Sequence, residues 1–347
     1  MPGSPVLKYR PADFLVRENL VLGLTDEADA DQHYLLLRKC GYTTMESVRI
    51  IAEELRISPH EVSYAGLKDE DGITEQIISV PHRGAPKMQD DILLAGGTGT
   101  LGDRWIKLRS YGFGTDRIGI GKLEGNGFRI VVRNLTAGTA KQLAVARKFN
   151  FSFLNYYDGQ RFGVPGGPKL THHVGAAILA EDWQRAREYL VRLKAPESPI
   201  AETWTGSARD LFDHLDARTT AFYLSAHGSH QFNADLRDLV DQVCPGRWSA
   251  VDLEGLTYHY LGSVRDTVSV MAAEQDLPYR RYSYTDGAAR HRSSTRPTVV
   301  QTVVSVGHTA EDAELPGTWH ATLGLFLPSG CYATAALRQL FALSATP

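Results

Sequence analysis

Residues 43–80 read TTMESVRIIAEELRISPHEVSYAGLKDEDGITEQIISV, and the order of patterns in this stretch decides the class of fold. Thr43 and Glu46 stand at the spacing of a capping box, and Val48, Ile51, Ala52 and Leu55 recur on one helical face, so the spacing predicts a helix. Val62 and Tyr64 then lead into a turn containing glycine, after which Ile77, Ile78 and Val80 resume an extended run. The turn presents Lys68 and Asp69 between two ordered segments. Working outward, residues 104–108, 128–132, 298–306 and 322–327 read as strands, the second by its period-2 alternation. Helical patterns occupy residues 137–153, 174–193 and 232–243. Helices and strands do not alternate as regular βαβ units, so the class is α+β and a doubly wound sheet is disfavoured. No repeat of fixed period is present.

The 347 residues, 43% of them hydrophobic, suffice for one large or two medium cores. The first residues carry no apolar run of the signal-peptide kind, and nowhere do about eighteen apolar residues occur without a charge, so a cytoplasmic protein without membrane contact is expected. Cys40, Cys244 and Cys331 are far apart and odd in number, which suggests neither a disulfide framework nor a zinc knuckle. A net charge of -3 means that any nucleic-acid footprint must be local.

Several motifs tempt and fail. Gly97 to Gly102 spells GTGTLG and fits a dinucleotide fingerprint, but that fingerprint needs a helix next, and DRWIKLRS alternates like a strand. His172 with His173 and His227 with His230 lack an acidic or thiol partner at a supporting spacing, so no metal is expected. Asn134 heads a glycosylation sequon that carries no weight without a secretion signal.

The segment from Ser63 to Gln76 differs in kind, because it packs a cation, a carboxylate, a hydroxyl and an amide into one turn between apolar flanks. On composition alone it reads equally well as an ordinary polar turn. Its A-G-L-K-D core, followed by Thr74 and Gln76, resembles the signature of the TruD family of pseudouridine synthases. Other family-like blocks follow in order: Lys8 with PADFLVRE (11–18), HYLL (33–36), GYTT (41–44), GNGF (125–128) and NYYDGQRFG (155–163). After them come LSA (224–226) leading to Phe232 and Asn233, and LPSGCYAT (327–334) with Arg338, so the ordered set spans nearly the whole chain.

The resemblance implies a pseudouridine synthase core with a mixed, largely antiparallel sheet, made of residues 1–154 and 317–347, interrupted by a TRUD-type α/β insertion domain at 155–316. It implies an isomerase in which Asp69 approaches the ribose as nucleophile or base, roles a carboxylate can fill, with Lys8 as the cation that keeps it charged. Phe128 would stack on the uracil, with Asn126 beside it. Lys68, Thr74, Gln76, Phe14, Glu18, Gln160 and Arg161 complete the substrate-binding set. No cofactor is implied, and the chain would act as a monomer on tRNA, at the position 13 uridine, or on another uridine-containing RNA.

Glu70, Asp71, Glu124 and Asp158 stand where relatives commonly carry neutral or basic residues, and Gln339 replaces a glutamate. Most of these changes add negative charge, which repels a polyanion. A rival expectation is therefore a free uridine nucleotide such as UMP as the substrate, in C-nucleoside biosynthesis. Another is a non-catalytic RNA-binding or chaperone protein, although binding alone would not need Asp69. Residues 279–296 carry five arginines, three tyrosines and one aspartate, a composition that suits phosphates and bases as well as a solvated loop.

Overall fold

The computed structural model describes residues 4–82, 92–96, 104–119, 122–163 and 166–344. In chain order come β1 (Phe14–Leu20), β2 (Gln32–Cys40), α1 (Thr44–Glu54), β3 (Ser63–Tyr64), β4 (Ile73–Pro81), β5 (Ile92–Gly96), β6 (Trp105–Gly114) and β7 (Leu123–Leu135). Next are α2 (Ala137–Ala146), β8 (Lys148–Leu154), α3 (Thr171–Leu179), α4 (Trp183–Leu193), α5 (Ser198–Thr203), α6 (Ala208–His214) and α7 (Ala217–Val243). The chain ends with β9 (Trp248–Leu253), β10 (Leu256–Leu261), α8 (Val264–Ala273), β11 (Asp276–Thr285), β12 (Ala288–Pro297), β13 (Val299–Glu311), β14 (Trp319–Pro328) and α9 (Ala333–Ser344). The fold is mixed α+β. It divides into two compact units, Met1–Asn150 with Thr302–Gly330, and Phe151–Gln301 with Cys331–Pro347.

Ten of the described strands form one mixed sheet in the order β5-β6-β2-β4-β1-β7-β14-β13-β8, with β3 also on β4. Most pairs are antiparallel, but β1 runs parallel to β4. The register puts residues of like parity side by side, since side chains alternate across a sheet. Lys39 opposes Thr74, Thr74 opposes Val16, Val16 opposes Phe128, and Phe128 opposes Leu325. One face therefore carries Lys39, Thr74, Gln76, Phe14, Val16, Glu18, Asn126 and Phe128. Gly125 lets β14 approach here, since an added Cβ would lie 2.3 Å from the Leu327 carbonyl oxygen.

Helix α1 covers part of the first unit's sheet, packing Val48, Ile51 and Ala52 on Leu35, Leu37, Ile78 and Leu108. Leu35, Leu37 and Ile51 are fully enclosed, and each contributes roughly 1.5–3 kcal/mol by burial. The helix starts where the sequence indicates: Thr43 accepts from the Glu46 amide and the Glu46 carboxylate accepts from the Thr43 amide, closing the capping box.

Three sequence-based expectations are corrected. The helix expected over 137–153 stops at Ala146; Arg147 turns with φ +53, and Phe149, Phe151 and Phe153 alternate along β8. The pattern over 174–193 is two helices broken at Glu181, whose φ is +56. Residues 279–296 form most of a β11–β12 ribbon. GTGTLG at 97–102 lies outside the described residues; β5 before it and β6 after it are antiparallel partners.

Candidate active site

The Ala65 to Gly72 loop joins β3 to β4 and is tied down along its backbone. The Lys39 ammonium, fully enclosed, donates to the carbonyls of Tyr42 at 2.8 Å, Lys68 at 3.3 Å and Asp69 at 2.7 Å. Burial lowers its pKa to about 8, against the opposing pull of Asp69 and Glu70. Thr44, the first residue of α1, accepts from the Lys68 amide at 3.0 Å and donates to the Gln76 side chain, whose own amide reaches the Gly66 carbonyl. The Gly41 amide donates to the Glu70 carbonyl at 3.1 Å. Gly72 completes the turn at close quarters, as a Cβ there would sit 2.5 Å from the Phe14 carbonyl oxygen.

Successive side chains of this loop then part. Lys68 goes inward to Glu18 at 2.7 Å, an ion pair almost fully enclosed. Glu18 also accepts from the Ile77 amide, and burial still pushes its carboxyl up despite Lys68. Asp69 goes the other way, to the Lys8 ammonium at 3.1 Å, with 30% of its side chain exposed. Lys8 sits 4.3 Å from the Phe14 ring centroid, and Phe14 meets the half-buried Phe128 edge-on at 6.0 Å. A carboxylate, a cation and two rings are thus assembled on one sheet face.

Lys8 is itself held in an uncommon conformation, φ +57. Its segment is fixed by the Val6–Arg133 backbone bridge, both hydrogen bonds being 3.0 Å. Arg133 in turn lies buried, paired with Asp13 through two bonds of 2.6 and 2.9 Å and with Asp312 at 2.6 Å. Such strain persists only where the surroundings over-determine it, and it gathers at functional sites.

The polar atoms of Lys68, Glu18 and Gln76 are committed to holding the loop. By contrast, Thr74 Oγ1 and Asn126 Oδ1 are buried with no hydrogen-bond partner among the described residues. Buried polar atoms are rarely left so. Gln160 and Arg161 belong to the second unit, on the short turn Gly159–Arg161; Arg161 donates to Ser229 and lies 4.8 Å from the Phe222 ring centroid. Lys39 was not singled out in the sequence, and Thr44 stood only within the GYTT block, with no role given to it. The signal for Lys39 was its parity, since His33, Leu35, Leu37 and Lys39 share one face of a largely buried strand.

The acidic departures fall into two groups. Asp158 is buried and bonded to Arg338 and Thr334 within the second unit, so its charge is neutralised. Next to Arg338 in sequence, Gln339 accepts from the Leu154 amide at 2.8 Å. Near the Asp69 loop, burial and the carboxylates of Glu46 and Asp71 push the Glu70 carboxyl up, partly offset by Arg104. The histidines form a ring stack in the second unit, His172 on His230 at 4.2 Å, and burial lowers them to about 3 and about 4. Among the described residues no group of three His, Cys, Asp or Glu has metal-holding geometry, and no helix is long and apolar enough to cross a membrane.

Comparison with known proteins gives a family model, tRNA pseudouridine synthase D (TruD), matching residues 3–230. A protein named tRNA pseudouridine synthase D from Geotalea daltonii is 32% identical over 209 residues, 59% of this chain and 48% of that protein. The matched stretch thus spans about half the length of that relative. Proteins of the same name from Colwellia psychrerythraea and Thermus thermophilus are 24% and 26% identical, over 97% and 98% of this chain and 89% of each of theirs. A solved structure from Methanosarcina mazei, described as a "Putative tRNA pseudouridine synthase D (TruD)", shares the fold with a TM-score of 0.60 at 18% identity, covering 97% of this chain and 93% of that one.

Proposed function

Because this chain belongs to the TruD family of tRNA pseudouridine synthases, we propose that it isomerises uridine to pseudouridine in tRNA, with Asp69 as the essential carboxylate. The observation that carries this is the Asp69–Lys8 pair on a loop tied at Gly66, Lys68, Asp69 and Glu70, beside the Phe14–Phe128 face. The reaction breaks the bond from the ribose C1′ to N1 and forms one to C5, whose proton leaves. It needs no electrons beyond those of the substrate. Asp69 serves as nucleophile at C1′ or as base at C2′, with Lys8 as its ion-pair partner. Phe128 lies against the detached uracil while it turns over, and the acceptors Thr74 Oγ1 and Asn126 Oδ1 receive its N–H or the ribose hydroxyls. Lys68, Glu18 and Gln76 hold the loop. The segment 155–316 is assigned as the family's inserted domain; most of it falls in the unit Phe151–Gln301, while 302–316 falls in the first unit and the tail Cys331–Pro347 in the second.

Loss of the stacking ring is expected to weaken substrate engagement without unfolding the chain. Phe128→Ala should lower kcat/KM by about 5- to 150-fold, the equivalent of one base-stacking contact of roughly 1–3 kcal/mol. Steady-state kinetics with a circular-dichroism melt as control checks it.

The carboxylates of Glu46, Glu70 and Asp71 beside the Asp69 loop favour a second reading, a free uridine nucleotide in place of RNA. Incubation with unmodified tRNA and, separately, with UMP distinguishes the two. Pseudouridine in the tRNA arm alone is the expected result; product from UMP alone would transfer the assignment to the nucleotide.

A further inference from the structure

In the second unit, β11 and β12 pair without interruption from Asp276↔Pro297 to Thr285↔Ala288, making a ten-residue two-stranded ribbon. Its two faces have different surroundings. On one, the ribbon lies along α7: Gly228 is so close that a Cβ there would come within 2.6 Å of the Arg280 carbonyl oxygen, and Ser225 donates to the Tyr282 carbonyl at 3.4 Å. Tyr284 on the same face donates to Asp213 at 2.5 Å. The opposite face is buried at its base, where Tyr279 and Arg296 pack on Tyr157 and Phe232, and open to solvent nearer the turn, where Arg281, Arg290 and Arg292 are all exposed.

The register makes this face unusual. Arg281 stands directly opposite Arg292, and Arg290 opposes Ser283 two residues further along. Directly opposed side chains in an antiparallel pair have Cβ atoms about 4.5–5.5 Å apart, and like charges there destabilise the pair. Among the described residues neither Arg281 nor Arg292 has an ion-pair partner, while Arg290 has a loose one in Asp286 at 3.8 Å. An external anion would relieve this repulsion. Residues two apart on a strand recur at roughly 6.7 Å, a row rather than a point.

We infer that this arginine face is a docking rail for the phosphate backbone of RNA, distinct from the Asp69 site. A lone nucleotide would fill one such position and leave the others repelling; a polynucleotide carries a charge at every residue and meets the whole row. In a chain with net charge -3 the rail supplies the local cationic footprint that RNA requires. The inference rests on the RNA reading given above.

The test uses the full chain and an unmodified tRNA transcript, with affinity measured from about 50 to 250 mM salt. The triple variant Arg281→Ala, Arg290→Ala, Arg292→Ala should lose about tenfold or more in affinity at 0.1 M salt, and the slope of log K against log salt should fall by about 2, at 0.7–0.9 per phosphate contact. Arg281→Glu, which turns the opposed pair into one of unlike charges, should also weaken binding yet melt at or above the wild-type temperature. Unchanged affinity and slope in the triple variant, with wild type binding and modifying tRNA, would overturn the rail alone. A lower melting temperature for Arg281→Glu would remove the repulsion on which it is built. Wild type that makes product from UMP and does not bind tRNA would defeat the RNA reading and the rail together.

Discussion

Asp69→Asn should abolish pseudouridine formation, by at least about 10⁴-fold, while the chain folds and binds substrate nearly as before. The amide preserves the size and shape of the side chain, so the loop keeps its ties to Lys39, Thr44 and Gly41, none of which uses the Asp69 side chain. What disappears is the charge, and with it both the nucleophile and the base. Lys8 loses its counterion, but the pair is partly open to solvent, and such pairs are worth at most about 1 kcal/mol. Single-turnover assays with a thermal melt and a tRNA binding isotherm give the three readouts. Turnover within tenfold of wild type would remove Asp69 from the chemistry.

Lys39→Met is expected to reach the same site from beneath. Three carbonyls, including that of Asp69, lose their common donor, and each buried acceptor left unpaired costs about 1–3 kcal/mol, offset in part because a buried charge is also removed. Net destabilisation of roughly 1–3 kcal/mol should accompany a fall in turnover of about 100-fold, since a carboxylate displaced by an ångström loses its aim. The pH dependence is the sharper sign. Lys39 titrates at about 8 in the folded chain and at 10.5 ordinarily, so between those values the folded form holds fewer protons than the unfolded one. Its contribution therefore favours folding more as pH rises through that window. Deprotonation also takes a donor from the loop, so wild-type turnover should decline as pH passes about 8, and Lys39→Met should lack that alkaline limb.

The parts of the fold legible in the sequence were those where local chemistry and burial agree. The Thr43–Glu46 box and the apolar face of α1 specify that helix outright, and the alternation over 128–132 marks β7 because one side of it is core. Where the two disagree, pattern misleads. Alanines lead into KFNFSFL without a break signal, so β8 merged with α2 in the sequence; the turn at Arg147 depends on a positive φ that its side chain does not advertise. The β11–β12 ribbon was invisible because most of β12 is exposed and offers no hydrophobic alternation. The motif residues Lys8, Asp69, Phe14 and Phe128 could be named in advance from the family likeness. Lys39 could not, since a lysine inside an apolar run reads as an interruption until the register shows which carbonyls lie above it.

Strand β7 lies between β1, which begins at Phe14, and β14, which ends at Pro328. During translation at ~5–20 residues per second, roughly 10–40 s separate the completion of β7 at Leu135 from that of β14 at Pro328. Throughout that interval β7 waits with one edge bare, open to pairing with another nascent chain. Birth of the catalytic face is therefore post-translational in character, and ribosomal stalling before the last strand would leave a sticky, inert product.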